Sequence, residues 1–278
     1  MRSIITILFF IITSCADGQR QVLGVLKNGA VPSSNAPIMI IFIGESNSGG
    51  YADNSLASAP EQAVRNIPIF NNVTRVMEGL EIGVNNLLYH SGLSSCCTHG
   101  FELGLANQFD DGDFGSHPVY IVKTGQGGSK IAEWETTDPY YDSLEVRVQA
   151  AFDLINAAHP GETPQIFIWY SLGINDALAS TPTATWKAAV ISFFSNVRTT
   201  INTIVGASLT IPVMMTRFNT VGMSLAYDAQ ILELDTEVSD CYAVSCVGAA
   251  LKDGNHWQYS GFKNVIVPAF ITITLTYL

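Results

Sequence analysis

The sequence predicts a single α/β domain, a three-layer α/β/α sandwich around a central parallel sheet. Three observations carry the prediction. Short Ile- and Val-rich apolar runs, too brief for buried helices, recur along the chain as strands covered on both faces would. Segments with helical spacing alternate with them, and that alternation implies parallel pairing through right-handed crossovers. The chain has 278 residues, 47% of them hydrophobic, which is ample for one such core and short for two.

Taken in order, residues 1–15 read as an export signal. Arg2 gives a short positive start and Ile4 to Ile12 is almost wholly apolar, a run too short to span a bilayer but suited to a signal-peptide core. Ile12-Thr13-Ser14-Cys15 resembles the bacterial lipobox, in which the Cys is lipidated; ordinary cleavage nearby is the alternative. Residues 16–36, rich in Gly, Ser and Asn, read as a linker, and 37–278 as the folded domain. The first strand is expected over 38–43. The stretch from about 44 to 100 lacks periodicity and is expected to be a long ordered loop region. Further strands are expected at 118–123, 165–170, 210–216 and 242–247. Helices are expected over 102–109, 141–158, 185–205 and 224–238, the second with Leu144, Val148, Ala151, Phe152 and Ile155 on one face. The apolar run 265–278 contains Pro268 and has no basic flank, so it reads as a final buried helix or strand.

Composition narrows the partners. The net charge of −11 repels polyphosphate and argues against nucleic acid, and it gives no attraction to anionic lipid. Membrane contact is expected only through a lipid on Cys15. Four further cysteines, Cys96, Cys97, Cys241 and Cys246, permit two disulfides. Adjacent Cys96 and Cys97 are poorly placed to bond each other, whereas Cys241 with Cys246 could form a short bridge at a strand end. No zinc-ligand spacing is present.

In parallel α/β sheets ligands gather outside the carboxyl ends of the strands. The polar residues following each apolar run are therefore the ones to weigh. The first strand runs into Gly44-Glu45-Ser46-Asn47-Ser48-Gly49-Gly50, where a tight turn would expose the Ser46 hydroxyl; Ser48 breaks the GxSxG elbow. The second leads to Thr124-Gly125-Gln126-Gly127-Gly128-Ser129-Lys130. It lacks the ending of a phosphate loop and the Gly of a dinucleotide fingerprint, but its amides could face a developing oxyanion. The third leads to Gly173-Ile174-Asn175-Asp176, whose Asn offers an amide donor, or simply a helix cap. Near the C-terminus, Asp253-Gly254-Asn255-His256-Trp257 lets a carboxylate orient an imidazole able to exchange a proton with a serine. Singly, each of these motifs is more often structural.

In combination and in this order, the four blocks resemble those of the SGNH hydrolase superfamily. Gly127-Gly128-Ser129-Lys130-Ile131-Ala132-Glu133-Trp134 and Gly100-Phe101-Glu102-Leu103-Gly104-Leu105-Ala106 are similar to its carbohydrate esterase family 6 and sialate O-acetylesterase-like branch. Glu45 stands where that branch carries Gln, and Gly-Ile-Asn-Asp replaces its Gln-Gly-Glu-x-Asp. The resemblance implies a flavodoxin-like fold and a serine esterase that removes short acyl groups, acetyl above all, from a carbohydrate without metal or cofactor, and the N-terminal segment makes it an exported one, periplasmic, at the cell surface or secreted. It makes Ser46 the nucleophile and Asp253 and His256 the rest of a triad. The Ser46 amide, a Gly127 or Gly128 amide and the Asn175 side chain would form the oxyanion hole. Glu45, Asn47 and Trp257 would border the substrate. Rival readings are an SGNH esterase or lipase for non-carbohydrate esters, an inactive carbohydrate-binding surface protein, and a metal-dependent hydrolase using Asp176, Asp253 and His256. Among the remaining conspicuous residues, His99 reads as structural and His90, His117 and His159 as surface or loop residues. Trp134 reads as packing. The sequon Asn72-Val73-Thr74 would matter only in a eukaryotic secretory pathway.

Overall fold

The structure is a computed structural model that describes residues 35–86, 98–220 and 225–278. The expectations for the export signal, Cys15, His90, Cys96 and Cys97 lie outside the described residues.

Strand β1 (Ile38–Gly44) is an unbroken apolar run, and every side chain from Ile38 to Ile43 is fully buried. It is flanked in parallel by β6 (Val119–Lys123) and β7 (Gln165–Ser171). β8 (Val213–Thr216) and β9 (Cys241–Val244) continue the parallel sheet on the β7 side. Beyond β6, β3 (Pro68–Phe70) pairs in parallel and β4 (Met77–Gly79) pairs antiparallel to it. The sheet therefore runs β4-β3-β6-β1-β7-β8-β9. An additional small ladder joins β2 (Ala52–Asp53) to β5 (Thr98–His99).

Two expectations change here. The 44–100 region holds short strands and helical turns rather than loop alone, and its β4 makes the sheet mixed instead of purely parallel. The eighth strand also begins at Val213 rather than 210, because Pro212 has no N–H to give the ladder and contributes only its carbonyl, which accepts from the Ile168 amide at 2.9 Å.

Helices cover both faces. After the short α1 (Ser46–Gly49) and α2 (Ala59–Gln62) come α3 (Phe101–Asp110), α4 (Pro139–Ala158), α5 (Ile174–Leu178), α6 (Thr183–Val205) and α7 (Leu225–Glu237). α4 starts at Pro139, where a proline's missing N–H costs nothing, and buries Leu144, Val148, Ala151 and Ile155. α6 buries Trp186, Val190, Phe193, Phe194, Val197 and Ile201 and ends at Gly206 with φ of 71°. The C-terminal apolar run is helical: α8 (Tyr259–Gly261) passes through a π-helical turn at Phe262–Ile266 into α9 (Val267–Leu275), which buries Val267, Phe270 and Ile271. No helix among the described residues is long and apolar enough to cross a membrane.

Cys241 and Cys246 are free, buried thiols, which corrects the expected bridge. Cys241 opens β9, and three strand steps of about 3.3 Å carry the chain about 10 Å past it before Cys246 is reached, beyond disulfide range.

Strand order also locates the site. Considering only β1, β6, β7, β8 and β9, the order is the doubly wound 2-1-3-4-5. The chain leaves β1 for one side, then crosses back to the other, so a crevice opens between the carboxyl ends of β1 and β7.

Candidate active site

The crevice between β1 and β7 is where Ser46 and Asn175 stand. β1 ends at Gly44, whose φ of 145° suits glycine alone; a Cβ there would lie 1.9 Å from the Ser171 carbonyl oxygen at the end of β7. The Glu45 amide donates to that same carbonyl at 2.9 Å. The chain then turns at once into α1, so Ser46 begins a helical turn instead of an open loop.

The Gly-rich loop after β6 lies against this turn. The Gln126 amide donates to the Gly44 carbonyl at 2.7 Å, and a Cβ on Gly125 would come within 2.7 Å of the Gly49 nitrogen. Such close backbone approach leaves no room for a side chain at position 125. Farther along the loop, the amides of Gly127 and Gly128 donate to no protein acceptor among the described residues.

The segment after β9 delivers the imidazole. His256 Nε2 lies 2.9 Å from Ser46 Oγ, and His256 Nδ1 lies 2.8 and 2.9 Å from the two Asp253 carboxylate oxygens. A carboxylate only accepts, so Nδ1 carries the proton and Nε2 presents its lone pair to the serine hydroxyl. Burial pushes the Asp253 carboxyl up, but the Asn255 amide, the His256 ring and the His256 amide outweigh it and hold the group below the usual carboxylate range. The acid therefore stays ionised at neutral pH, as an orienting partner must.

Tyr51 packs on the imidazole, its ring 3.9 Å from that of His256 and inclined by 19°. The Lys252 ammonium sits 4.5 Å from the Tyr51 ring centroid and donates to the Tyr51 carbonyl and to Asp53. No motif marks Tyr51. It sits five residues beyond Ser46 without a recognisable spacing, and only the tertiary fold brings it onto His256.

Asn175 lies in the first turn of α5 with its side chain partly buried, and its Nδ2 donates to Glu45 Oε2. Glu45 is fully buried, with Ser46 Oγ 3.4 Å from Oε2 and Asn47 Nδ2 3.5 Å from Oε1. Burial pushes the Glu45 carboxyl up to about 8, against the pull of Asn47 and Ser46. Asp176 is also pushed up by burial, to about 6, and accepts the Ile131 amide at 3.0 Å. Among the described residues, no three or more His, Cys, Asp or Glu side chains gather as a metal site would require, so Asp176 does not join Asp253 and His256 in one.

All three residues expected to border the substrate, Glu45, Asn47 and Trp257, are fully buried. Asn47 is fully buried and clamps the His256 segment, donating to the Asn255 carbonyl at 3.1 Å and accepting the Trp257 amide at 3.1 Å. Trp257 is fully buried too, its indole N–H on Thr220, so its ring is not free to stack on a sugar. Glu45 touches the site from beneath rather than facing a ligand. Trp134 packs internally, its indole N–H on Ser129. His99 is buried with Nδ1 2.8 Å from Asn54 Oδ1, while His117 and His159 meet the Ala36 carbonyl and the Tyr120 hydroxyl.

A serine hydroxyl, an imidazole and a carboxylate in series can carry out nucleophilic acyl transfer, with neighbouring N–H groups available to an oxyanion. Comparison with known proteins agrees in class. A family model described as carbohydrate esterase, sialic acid-specific acetylesterase, matches residues 38–265. No curated protein matches the chain by sequence. Among solved structures, the chain is similar to a protein from Arabidopsis thaliana, at 16% identity and a TM-score of 0.64 over 87% of this chain and 98% of that one. It is similar to NanS at 14% and 0.66, over 89% and 99%. It is also similar to a carbohydrate acetylesterase from Xanthomonas citri at 11% and 0.53, over 87% of this chain and 56% of that one. At these identities the likeness is one of fold, whereas the family match spans most of the sequence. A carboxylic ester hydrolase of α/β architecture, the chain belongs to the sialic acid-specific acetylesterase family of carbohydrate esterases.

Proposed function

We propose that the protein removes acetyl groups from an O-acetylated carbohydrate with Ser46 as nucleophile, His256 as general base and then acid, and Asp253 as the group that orients the imidazole. The observation that carries the reading is the 2.9 Å approach of His256 Nε2 to Ser46 Oγ, with Asp253 on the opposite ring nitrogen. Ser46 Oγ attacks the acetyl carbonyl while its proton passes to His256 Nε2. The oxyanion is held by the Ser46 amide, an amide of Gly127 or Gly128 and the second N–H of Asn175. Collapse expels the sugar oxygen, which takes the proton from His256, and leaves acetyl on Ser46. Water then attacks the acetyl-serine with His256 again as base, releasing acetate. Proton transfer of this kind contributes roughly 10²- to 10⁴-fold and each oxyanion donor roughly 10²- to 10³-fold. The Arg2-led apolar segment ending at Cys15 supports an exported enzyme.

The test is acetate release from O-acetylated sialic acids and from acetylated xylan, with fluorophosphonate labelling alongside. Ser46→Ala should abolish labelling and lower turnover by at least about 10⁴-fold. A folded wild-type protein that neither labels at Ser46 nor releases acetate from either substrate would overturn the reading.

A further inference from the structure

Glu45 has no place in the acyl-transfer steps, yet it is the most confined charged side chain at the site. It is fully buried and forms no ion pair among the described residues. One of the groups assigned to the oxyanion hole reaches its carboxyl: the Asn175 side chain donates to Oε2. The Ser46 hydroxyl lies 3.4 Å from Oε2. An Asn175 N–H held on Glu45 is withheld from a tetrahedral oxyanion, so how strongly Glu45 draws on Asn175 sets how that amide is presented.

From this convergence of Asn175 and the Ser46 hydroxyl on one buried carboxyl we infer that Glu45 is a positioning residue that holds the Asn175 oxyanion donor in place as a neutral acid, and that its ionisation shuts the esterase down. The inference rests on the serine-esterase reading above. As a neutral acid, Glu45 accepts from Asn175 weakly, keeps that amide aimed at the pocket and puts no charge beneath the reacting carbonyl. As a carboxylate it binds the Asn175 N–H more strongly and sets a negative charge against a developing one in a buried site. The chain thus achieves with a proton what an amide would do at this position at any pH.

Burial and the charged groups near Glu45 favour the neutral form, against the hydrogen bonds from Asn47 and Ser46. Asp176 on α5 adds like charge, and on β7 the buried Tyr170 phenol is itself raised well above its ordinary value by burial and by Asp176 and Glu45. Across Ser46 stands His256, backed by Asp253; no Lys or Arg pairs with the carboxyl among the described residues. Burial leaves Glu45 titrating near 8, above Asp176 at about 6 and below Tyr170.

The experiment is the pH dependence of kcat/KM for 4-nitrophenyl acetate, with spontaneous hydrolysis subtracted. Wild type should lose about tenfold between about pH 7 and about pH 9, Glu45→Asp should keep a falling limb, and Glu45→Gln should lose it. The infrared C=O stretch of a protonated carboxyl, present in wild type at about pH 7 and gone by about pH 9, gives the same answer without relying on a variant's fold. A limb that persists in Glu45→Gln, a folded Glu45→Gln inactive at every pH, or no protonated carboxyl in wild type at about pH 7 would each overturn the assignment. Wild type that hydrolyses the ester and labels at Ser46 but shows no limb fails Glu45 alone. Wild type that does neither overturns the esterase reading and this inference together.

Discussion

Tyr51 shows what a single ring contributes at this site. Its 3.9 Å stack on His256 limits rotation of the imidazole, and Lys252 over the ring, tied to Asp53, keeps Tyr51 from swinging away. Aromatic pairs of this kind contribute about 0.5–1.5 kcal/mol beyond burial, which for a ring that must hold its aim corresponds to roughly 2- to 13-fold in rate. Tyr51→Ala should lower kcat by that factor with little change in KM for an aryl acetate, and Tyr51→Phe should recover most of it. Steady-state kinetics on the two variants decide; a change in KM alone would mean that Tyr51 contacts substrate instead of positioning His256. At this scale legibility varied by kind of residue. Ser46, Asn175, Asp253 and His256 sit in short local patterns whose chemistry can be read from neighbours. The roles of Tyr51, and of Asn47 as a clamp on the His256 segment, depend on contacts between segments far apart in the chain, which no local pattern encodes. Asn47 and Trp257 looked like substrate contacts because they flank chemistry-bearing residues, but flanking in sequence does not decide which way a side chain faces.

At the scale of elements, the five main parallel strands were legible because a strand covered on both faces must be apolar throughout, and β1 and β7 are buried along nearly their whole length. β3 and β4 were not, since three-residue strands near a sheet edge carry too little periodicity to stand out. Nor could spacing alone show that β9 keeps Cys241 and Cys246 apart. The link between α3 and β6 was equally hidden. Lys123, the last residue of β6, is almost fully buried and donates at 2.7 Å to Glu102 on α3, which also accepts the Asn86 side chain and the Gly100 amide. Burial pushes the Lys123 ammonium down while Glu102 pulls it up, and the pair ties the strand that launches the Gly-rich loop to the helix beneath it. Lys123→Met would leave Glu102 buried without its cation and should destabilise the fold by about 3–5 kcal/mol. A second change, Glu102→Gln, should restore part of the loss. Chemical denaturation of the single and double variants measures both; a Lys123→Met protein as stable as wild type would show that Asn86 and Gly100 alone suffice for the carboxylate.

Across the whole molecule, buried ionisable groups and surface charge make stability depend on pH in a direction that can be worked out. Glu45 is raised by burial to about 8 and Asp176 to about 6, so each favours folding fully only below its unfolded value and loses that contribution as pH rises through its folded value. His99 is lowered by burial to about 4; it contributes above its unfolded value near 6.5 and loses that contribution as pH falls toward 4. These opposing effects overlap in the acid range. Above about pH 6.5 the remaining titrations of Asp176 in the fold and of His99 in the unfolded chain are small and opposite in sign, and Glu45 dominates, still protonated in the fold while an unfolded chain has released its proton. Each such proton is worth about 1.4 kcal/mol per pH unit, so the fold should lose about 1–2 kcal/mol between about pH 6.5 and pH 8. For a chain of this size that corresponds to a fall in Tm of roughly 2–8 °C. The net charge of −11 acts in the same direction, because any proton lost adds to a charge that already repels itself. Thermal melts at constant ionic strength should therefore show Tm falling steadily across that window in wild type and nearly level in Glu45→Gln. A wild-type Tm that rises from about pH 6.5 to pH 8 would mean that Glu45 is ionised in the folded protein at neutral pH, and that the buried carboxyl beneath Ser46 carries charge after all.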